Sequence, residues 1–271
     1  MVDLDKVAAL IRQVAAEEVT PRWRNLKDHE VRDKTKGDPV TEADLATERR
    51  LTAAFRDMIP GSLVVGEEGV HEDRSLLSHL DQDEPVWVID PVDGTKNFTE
   101  GTELFAVMVA LVQKGAPKAA WIYAPASDEM TIAEAGGGAF LNGAKLKGRM
   151  APAGAAEMHG AIHCKYLEGP VRNEVLAHMG AFKSNEELYC SGLTYVQIAR
   201  GILDHALYWR ANPWDHIMGA LIVAEAGGRS AYLDGETYKA QAKDKRGLIA
   251  VADAPAWELV HKTLFPNGVP Q

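Results

Sequence analysis

The chain has 271 residues, 46% hydrophobic and 25% charged, a composition that is typical of globular proteins and excludes a disordered tail, a collagen-like repeat and a coiled coil. A formal net charge of −10 argues against nucleic acid or an anionic membrane as a partner. The apolar runs are too short to span a membrane, and no signal peptide is visible at the start. We therefore expect a cytoplasmic protein whose two cysteines are free thiols.

The first half of the chain carries helix signals followed by strand signals. Apolar residues at helical spacing predict a helix over residues 1–25, and Thr41 is a suitable N-cap for a second helix, with Asp44 three positions later and Pro60-Gly61 at its end. Short apolar segments then predict strands at 63–65, 86–89, 105–112 and 119–123. Hairpin turns are predicted at 114–117 and Asn142-Gly143. These signals indicate an antiparallel sheet flanked by helices.

The second half begins near residue 151, where an Ala-Pro-Ala-Gly segment interrupts the regular patterns. Helices are predicted at 172–179, 195–199 and 215–226, and a strand at 205–209. Gly227-Gly228 is a normal helix stop. Because no flexible linker separates the halves, we predict that residues 1–150 and 151–271 form one continuous unit.

Acidic residues cluster where predicted strands end or a predicted helix begins: Glu67-Glu68, Asp90 with Asp93, and Asp215. Taken singly, each has a simpler explanation, as a solvated pair, a turn or a helix N-terminus. Taken together, they would repel one another unless divalent cations were bound, and an all-oxygen ligand set favours Mg²⁺ over zinc. The backbone N–H groups of Gly94 and Thr95 could hold a phosphate oxygen nearby. The combination suggests phosphoryl chemistry.

Several motifs resemble those of the inositol monophosphatase family, and they occur in the family's order over about residues 5–265. Residues 87–98 (WVIDPVDGTKNF) are similar to its first signature, and residues 213–215 (PWD) with 225–228 (EAGG) to its second. Residues 40–44 (VTEAD), 66–68 (GEE) and 142–143 (NG) also fit. The resemblance implies an α/β (α+β) fold: a layered α-β-α-β-α sandwich of the inositol monophosphatase and fructose-1,6-bisphosphatase type. It also implies a lithium-sensitive homodimer, with most metal ligands in residues 1–150.

The resemblance further implies two or three Mg²⁺ ions, held by five residues of which one acts through its backbone carbonyl: Glu67, Asp90, Val92, Asp93 and Asp215. Phosphate and substrate would contact Asp93, Gly94, Thr95 and Asp215. Glu67 and Thr95 would activate a water molecule for in-line attack on phosphorus, and Asp44 would support the Thr95 hydroxyl. Glu68 would support these ligands without binding an ion itself.

The expected leaving-group pocket departs from the inositol-specific pattern. The family usually has a Glu a few residues before the Pro-Trp-Asp motif, whereas this chain has LYWRAN at 207–212. Tyr208 lies closest to that position, and Tyr208 with Arg210 could serve a larger or more anionic leaving group. Alternatively, Tyr208 is a packed strand residue and Arg210 a surface cation. Ser191 is a weaker candidate for substrate contact.

Histidines and lysines elsewhere in the chain are weaker candidates for functional residues. His159 and His163 have the spacing of a helical metal pair, but Gly160 makes that helix improbable, and His216 is expected to be an ordinary residue of a helix's first turn. Lys34 and Lys36 lie in a polar loop that in the family can approach the third ion, unless they are simply solvated.

The sequence therefore predicts a Mg²⁺-dependent phosphomonoesterase acting on a small phosphorylated metabolite. A polyol or sugar phosphate is expected, with inositol monophosphate first. Histidinol phosphate, fructose 1,6-bisphosphate and 3′-phosphoadenosine 5′-phosphate are the alternatives, because related enzymes keep the metal scaffold and change the pocket. A catalytically silent metal-binding interaction module is the remaining hypothesis.

Overall fold

The computed structural model describes residues 2–35, 37–241 and 245–270. Within those ranges, no helix is both long and apolar enough to cross a membrane. The fold contains eight α-helices and fourteen strands among these residues, arranged in a two-stranded hairpin and two larger sheets.

The N-terminal segment is helical. Helix α1 (Leu4–Val14) continues as a π-helical turn over Ala15–Val19, so the helix predicted over residues 1–25 is too long. Pro21 follows two residues later, and proline lacks the N–H that helix continuation needs. A hairpin of β1 (Val31–Thr35) and β2 (Asp38–Thr41) leads into α2 (Glu42–Met58).

The predicted start of α2 is confirmed. The Thr41 hydroxyl accepts a hydrogen bond from the Ala43 N–H at 3.1 Å, and the Asp44 carboxylate accepts one from the Thr41 N–H at 2.8 Å. This reciprocal capping box satisfies N–H groups that would otherwise have no partner. It also places Asp44 inside the protein, on the side that faces the strand ends described below.

The larger sheet has seven strands in the order β3-β4-β5-β6-β7-β8-β9. Only the pair β3 and β4 is parallel; the other neighbours are antiparallel. The strand bounds are β3 Leu63–Gly66, β4 Val86–Asp93, β5 Ala106–Gln113, β6 Ala116–Ala124, β7 Glu129–Glu134, β8 Gly138–Leu141 and β9 Ala144–Lys145.

Two short helices follow the parallel strands of this sheet. Helix α3 (Glu67–Glu72) follows β3 directly, and α4 (Thr95–Thr99) follows β4. Strand β4 runs past the predicted limit of residue 89, and its pairing with β5 shifts register between Asp90 and Asp93. Pro91, which has no N–H to donate, lies within that irregular stretch.

The second sheet has five strands in the order β11-β10-β12-β14-β13, and β10 is parallel to both of its neighbours. Its strands are β10 His159–Ile162, β11 Ser184–Asn185, β12 His205–Tyr208, β13 Arg229–Tyr232 and β14 Leu248–Val251. The accompanying helices are α5 Gly169–His178, α6 Ser191–Ala199, α7 Pro213–Glu225 and α8 Ala256–Leu264.

Three buried apolar clusters define the layers. One joins α1 and α2 to the outer face of the seven-stranded sheet, and another joins α5 and α8 to the outer face of the five-stranded sheet. The largest lies between the sheets and includes α6 and α7. In β12, Ala206 and Tyr208 belong to the central cluster and Leu207 to the outer one, as strand alternation requires. The predicted α-β-α-β-α sandwich is thus confirmed.

Candidate active site

Three carboxylates meet where β4 ends and α7 begins. One oxygen from each of Asp90, Asp93 and Asp215 lies within 4.8 Å of the others. Asp90 and Asp93 are buried at the irregular end of β4, and Asp215 is partly buried in the first turn of α7. The tertiary structure therefore brings together acids that are more than a hundred residues apart in the chain.

The electrostatics of these carboxylates call for a cation. Burial, together with repulsion from Glu67 and Asp93, raises the pKa of Asp90 and of Asp215 well above the ordinary range. Burial also raises the pKa of Asp93, although the Cys190 thiol and backbone N–H groups oppose that rise. The Asp90 Oδ1 atom is buried with no hydrogen-bond partner among the described residues. An orphaned oxygen within an all-carboxylate cluster fits a hard divalent ion such as Mg²⁺.

Asp93 is held from the C-terminal half of the chain. Its Oδ2 accepts hydrogen bonds from the Gly192 N–H at 2.6 Å and the Cys190 thiol at 3.0 Å, and its Oδ1 accepts one from the Ser191 N–H at 3.2 Å. The Ser191 hydroxyl donates to the Asp215 carbonyl at 2.8 Å. Ser191 is thus placed at the cluster. Cys190 is a contact that the sequence analysis missed, because no local pattern links residues 97 positions apart.

Thr95 and Asp44, which the family resemblance pairs, are within hydrogen-bond distance of each other in the structure. The Thr95 hydroxyl lies 2.9 Å from the Val92 carbonyl and 3.3 Å from Asp44 Oδ1. Burial raises the pKa of Asp44 to about 6, although the Thr41 hydroxyl opposes the rise. Gly94, immediately before, has φ of 83°, a left-handed conformation that favours glycine, and an added Cβ would press on the Leu104 carbonyl.

Glu67 and Glu68, the first residues of α3, surround the ammonium group of Lys34. Lys34 Nζ lies 2.7 Å from Glu67 Oε1 and 2.5 Å from Glu68 Oε1, and its side chain is only 5% exposed. Burial and the neighbouring Glu67 raise the pKa of Glu68 to about 8 against the opposing effect of Lys34. Burial by itself lowers the pKa of Lys34, but the two carboxylates reverse that and raise it.

The alternative that Lys34 is merely solvated is therefore wrong. Strand β1 places the Lys34 side chain in the protein interior, against the carboxylates of Glu67 and Glu68. Lys36, which was considered with it, lies outside the described residues.

The two residues considered for the leaving-group pocket differ in environment. Tyr208 is 5% exposed in the central layer, where it stacks on Tyr195 and His163 with ring centroids 5.2 and 4.7 Å away. The packing alternative describes it, because strand alternation points it at α6 rather than at solvent. Arg210 is exposed, and its guanidinium lies 3.7 Å from the ring centroid of Tyr166. A part for Arg210 in specificity stays a prediction.

The remaining histidines behave as structural residues. His159 lies on β10 and contacts the Ser184 hydroxyl at 2.8 Å, so no helical metal pair with His163 forms. His216 is buried in α7 between the Tyr195 hydroxyl and the Arg210 carbonyl, at 3.0 and 2.8 Å. Burial lowers its pKa to about 3, so it is a neutral core residue near the site.

Comparisons with known proteins define the class to which this fold and site belong. The sequence profile of the inositol monophosphatase family matches residues 2–264. The chain therefore belongs to the inositol monophosphatase family, whose characterised relatives include phosphatases.

Individual relatives and a solved structure also place the chain in this family. A fructose-1,6-bisphosphatase/inositol-1-monophosphatase of Thermotoga maritima is 31% identical over 78% of this chain and 79% of its own length. A histidinol-phosphatase of Mycobacterium tuberculosis is 31% identical over 85% of this chain and 88% of its own. The solved structure of a Thermotoga maritima IMPase superposes with a TM-score of 0.81 at 27% identity, covering 97% of this chain and 96% of that one.

Proposed function

We propose that this protein is a Mg²⁺-dependent phosphomonoesterase that hydrolyses a small polyol or sugar phosphate, with inositol monophosphate as the first candidate substrate. The observation that carries the proposal is the convergence of Asp90, Asp93 and Asp215 within 4.8 Å, beside the hydrogen-bonded pair Thr95 and Asp44. Relatives named for inositol-1-monophosphatase activity support the substrate class.

The proposed cation ligands are the three clustered aspartates, Glu67 and the Val92 carbonyl. Two or three divalent ions bound there would neutralise charge on the phosphate and make water a better nucleophile. All six acids of the site carry −6 when ionised (Asp44, Glu67, Glu68, Asp90, Asp93 and Asp215), and Lys34 offsets only one of these charges. With all of them ionised, a phosphate ester would be repelled by the remaining −5. The raised pKa values of Glu68, Asp90 and Asp215 keep part of that charge protonated in the metal-free protein, which reduces the repulsion but supplies no positive charge to the phosphate. In either state, substrate binding should require the ions.

The protein's own groups would do the positioning. With its proton directed at Asp44 or at the Val92 carbonyl, the Thr95 oxygen keeps lone pairs that can accept a hydrogen bond from water. Glu67 would be the second group that binds that water. Gly94 and Thr95 lie at the first turn of α4, where N–H groups have no intrahelical acceptor and can bind phosphate oxygens. Asp93 and Asp215 would also face the substrate.

The test is phosphate release from a panel of esters, titrated with Mg²⁺. The panel is inositol 1-phosphate, histidinol phosphate, fructose 1,6-bisphosphate and 3′-phosphoadenosine 5′-phosphate. Turnover concentrated on the first would support the proposal, and turnover concentrated on the second would favour the activity for which the Mycobacterium tuberculosis relative is named. Absence of turnover on all four, with Mg²⁺ still binding, would favour a phosphate ester outside the panel or the silent metal-binding module.

The site assignment has its own test in Asp90→Asn. This variant keeps the size of the side chain but removes a central anion, so it should fold and lose Mg²⁺-dependent turnover. Unchanged turnover would refute the assignment. A homodimeric state, lithium sensitivity, a cytoplasmic location and the division of the chain at residue 150 remain predictions.

A further inference from the structure

Glu48 is a buried carboxylate that the proposed mechanism does not use. It lies in the middle of α2, and its residue surface is 8% exposed. Its Oε2 accepts a hydrogen bond from the Glu68 N–H at 2.9 Å, and its Oε1 accepts one from the Gly69 N–H at 2.8 Å. No ion pair to Glu48 occurs in the part of the chain that the structure describes. Its partners are therefore the backbone of α3.

These two hydrogen bonds fix the first turn of α3. N–H groups at the start of a helix have no acceptor within that helix, and here one side chain from another helix supplies acceptors for two of them. Helix α3 begins at Glu67. The backbone before Glu67 is held by strand β3, and the backbone after it is held by the hydrogen bonds to Glu48. The direction in which Glu67 points depends on that turn.

Two glycines allow the carboxylate to approach. A Cβ added at Gly66 would overlap the carboxyl group of Glu48, whose atoms are the three nearest to that position. At Gly69, the nearest atom to an added Cβ is again Glu48 Oε1, at 3.2 Å. The segment Gly66-Glu67-Glu68-Gly69 therefore leaves space for a carboxylate against its backbone, which side chains at either end would remove.

A buried carboxylate at position 48 does not favour the stability of the folded protein. Glu48 is buried near Glu67, and burial raises its pKa to about 7 against the effect of its two N–H donors. A carboxylate nevertheless has a property that Gln lacks: both oxygens are acceptors, so it can bind two neighbouring N–H groups at once. That property matches what α3 presents.

We propose that Glu48 is a positioning residue that acts through Glu67, by clamping the first turn of α3 so that the Glu67 carboxylate is held toward Asp90 and Asp215. The inference rests on the proposed function, in which Glu67 holds a divalent ion and contacts the attacking water. Groups that orient metal ligands from behind typically change metal affinity or activity 10- to 100-fold when they are altered.

The experiment compares the wild-type chain with Glu48→Gln, in which one N–H of α3 faces an NH₂ group instead of an acceptor. Mg²⁺ binding to metal-stripped protein is measured by titration calorimetry, below the unfolding temperature of every variant. Mg²⁺ affinity is expected to fall about 10- to 100-fold, and kcat at saturating Mg²⁺ is expected to fall while substrate KM changes little. Asp57→Asn removes a charge from an exposed position on the same helix and should leave both quantities unchanged.

A double-mutant cycle separates positioning from a general structural role. If Glu48 acts through Glu67, Glu48→Gln should lower Mg²⁺ affinity less than 2-fold further in a Glu67→Gln background. Should Glu48→Gln fail to fold, Gly66→Ala perturbs the same contact while keeping the carboxylate. The loss of Mg²⁺ affinity caused by Gly66→Ala should largely vanish in a Glu48→Ala background. The carboxyl atoms that a Cβ at position 66 would overlap are absent from that variant.

The outcomes are distinguishable. The role of Glu48 would be refuted if Glu48→Gln bound Mg²⁺ as tightly as the wild type. It would also be refuted if Glu48→Gln lowered Mg²⁺ affinity by the same factor in the wild-type and the Glu67→Gln backgrounds. Neither result would contradict the proposed function. A wild-type chain that binds no Mg²⁺ would instead refute the proposed function, and with it the premise of this inference.

Discussion

Replacing Lys34 by Met tests whether its ammonium group is a counter-ion for Glu67 and Glu68 at the proposed cation site. Met keeps most of the length of the side chain and removes the charge. At an effective dielectric of about 20, one ion pair at the observed 2.7 Å from Glu67 is worth about 6 kcal/mol before desolvation. Removing one partner of a buried pair costs about 3–5 kcal/mol in practice. We expect the free energy of unfolding of the Mg²⁺-free protein to fall by about that amount.

Added Mg²⁺ should reverse much of this loss, because a cation bound near Glu67 and Glu68 supplies the positive charge that the variant lacks. The variant also presents one more net negative charge to the ion, so its Mg²⁺ affinity should exceed that of the wild type. Urea unfolding with EDTA and with saturating Mg²⁺ gives the stabilities, and titration calorimetry gives the affinity. Lys118→Met, at an exposed position on β6, is the matched control and should change neither.

Two results would refute this reasoning. If Lys34→Met lost the same free energy of unfolding with and without Mg²⁺, the lysine would be a structural partner unconnected with cation binding. If the variant bound Mg²⁺ more weakly than the wild type, the ammonium would assist the ion by orienting its ligands rather than standing in for it.

Three other predictions concern pH, stability and substrate binding. Burial lowers the pKa of His205 from 6.5 to about 3. As the pH falls below 6.5, the unfolded chain therefore binds a proton at this residue before the folded chain does, and the folded protein loses stability. The loss approaches about 1.4 kcal/mol of unfolding free energy per pH unit. Urea unfolding of His205→Leu and wild type should therefore diverge by about 2 kcal/mol between pH 6.5 and 4.5, and parallel pH curves would contradict this. Asp204 is fully buried and accepts hydrogen bonds from Arg149 Nη2 at 2.8 Å and from the His159 N–H at 2.7 Å. Asp204→Ala should therefore lower the free energy of unfolding by about 2–3 kcal/mol. A loss below about 0.5 kcal/mol would show that these hydrogen bonds add no net stability. Calorimetry should detect no binding of inositol 1-phosphate without divalent ions, and binding to protein in EDTA would sink the charge argument.

Local sequence patterns determined much of the fold of this protein. The start of α2 was predictable because a capping box needs only Thr41 and Asp44, three positions apart. The strand before Asp90 and the helix that begins near Asp215 were predictable from apolar runs and turn residues. Family motifs then indicated the layered sandwich and the acids of the site, and the structure brings Asp90, Asp93 and Asp215 together.

Other features were decided only by the tertiary structure. Cys190 and the backbone at 191–192 hold Asp93 across 97 or more residues of chain, and no local pattern encodes such a pair. Lys34 looked like one more polar loop residue until strand β1 carried it onto Glu67 and Glu68. Tyr208 offered a pocket or a packed core equally well, and the position of α6 settled it. Charge and hydropathy predict which groups seek partners; the packing of the layers determines which partners they find.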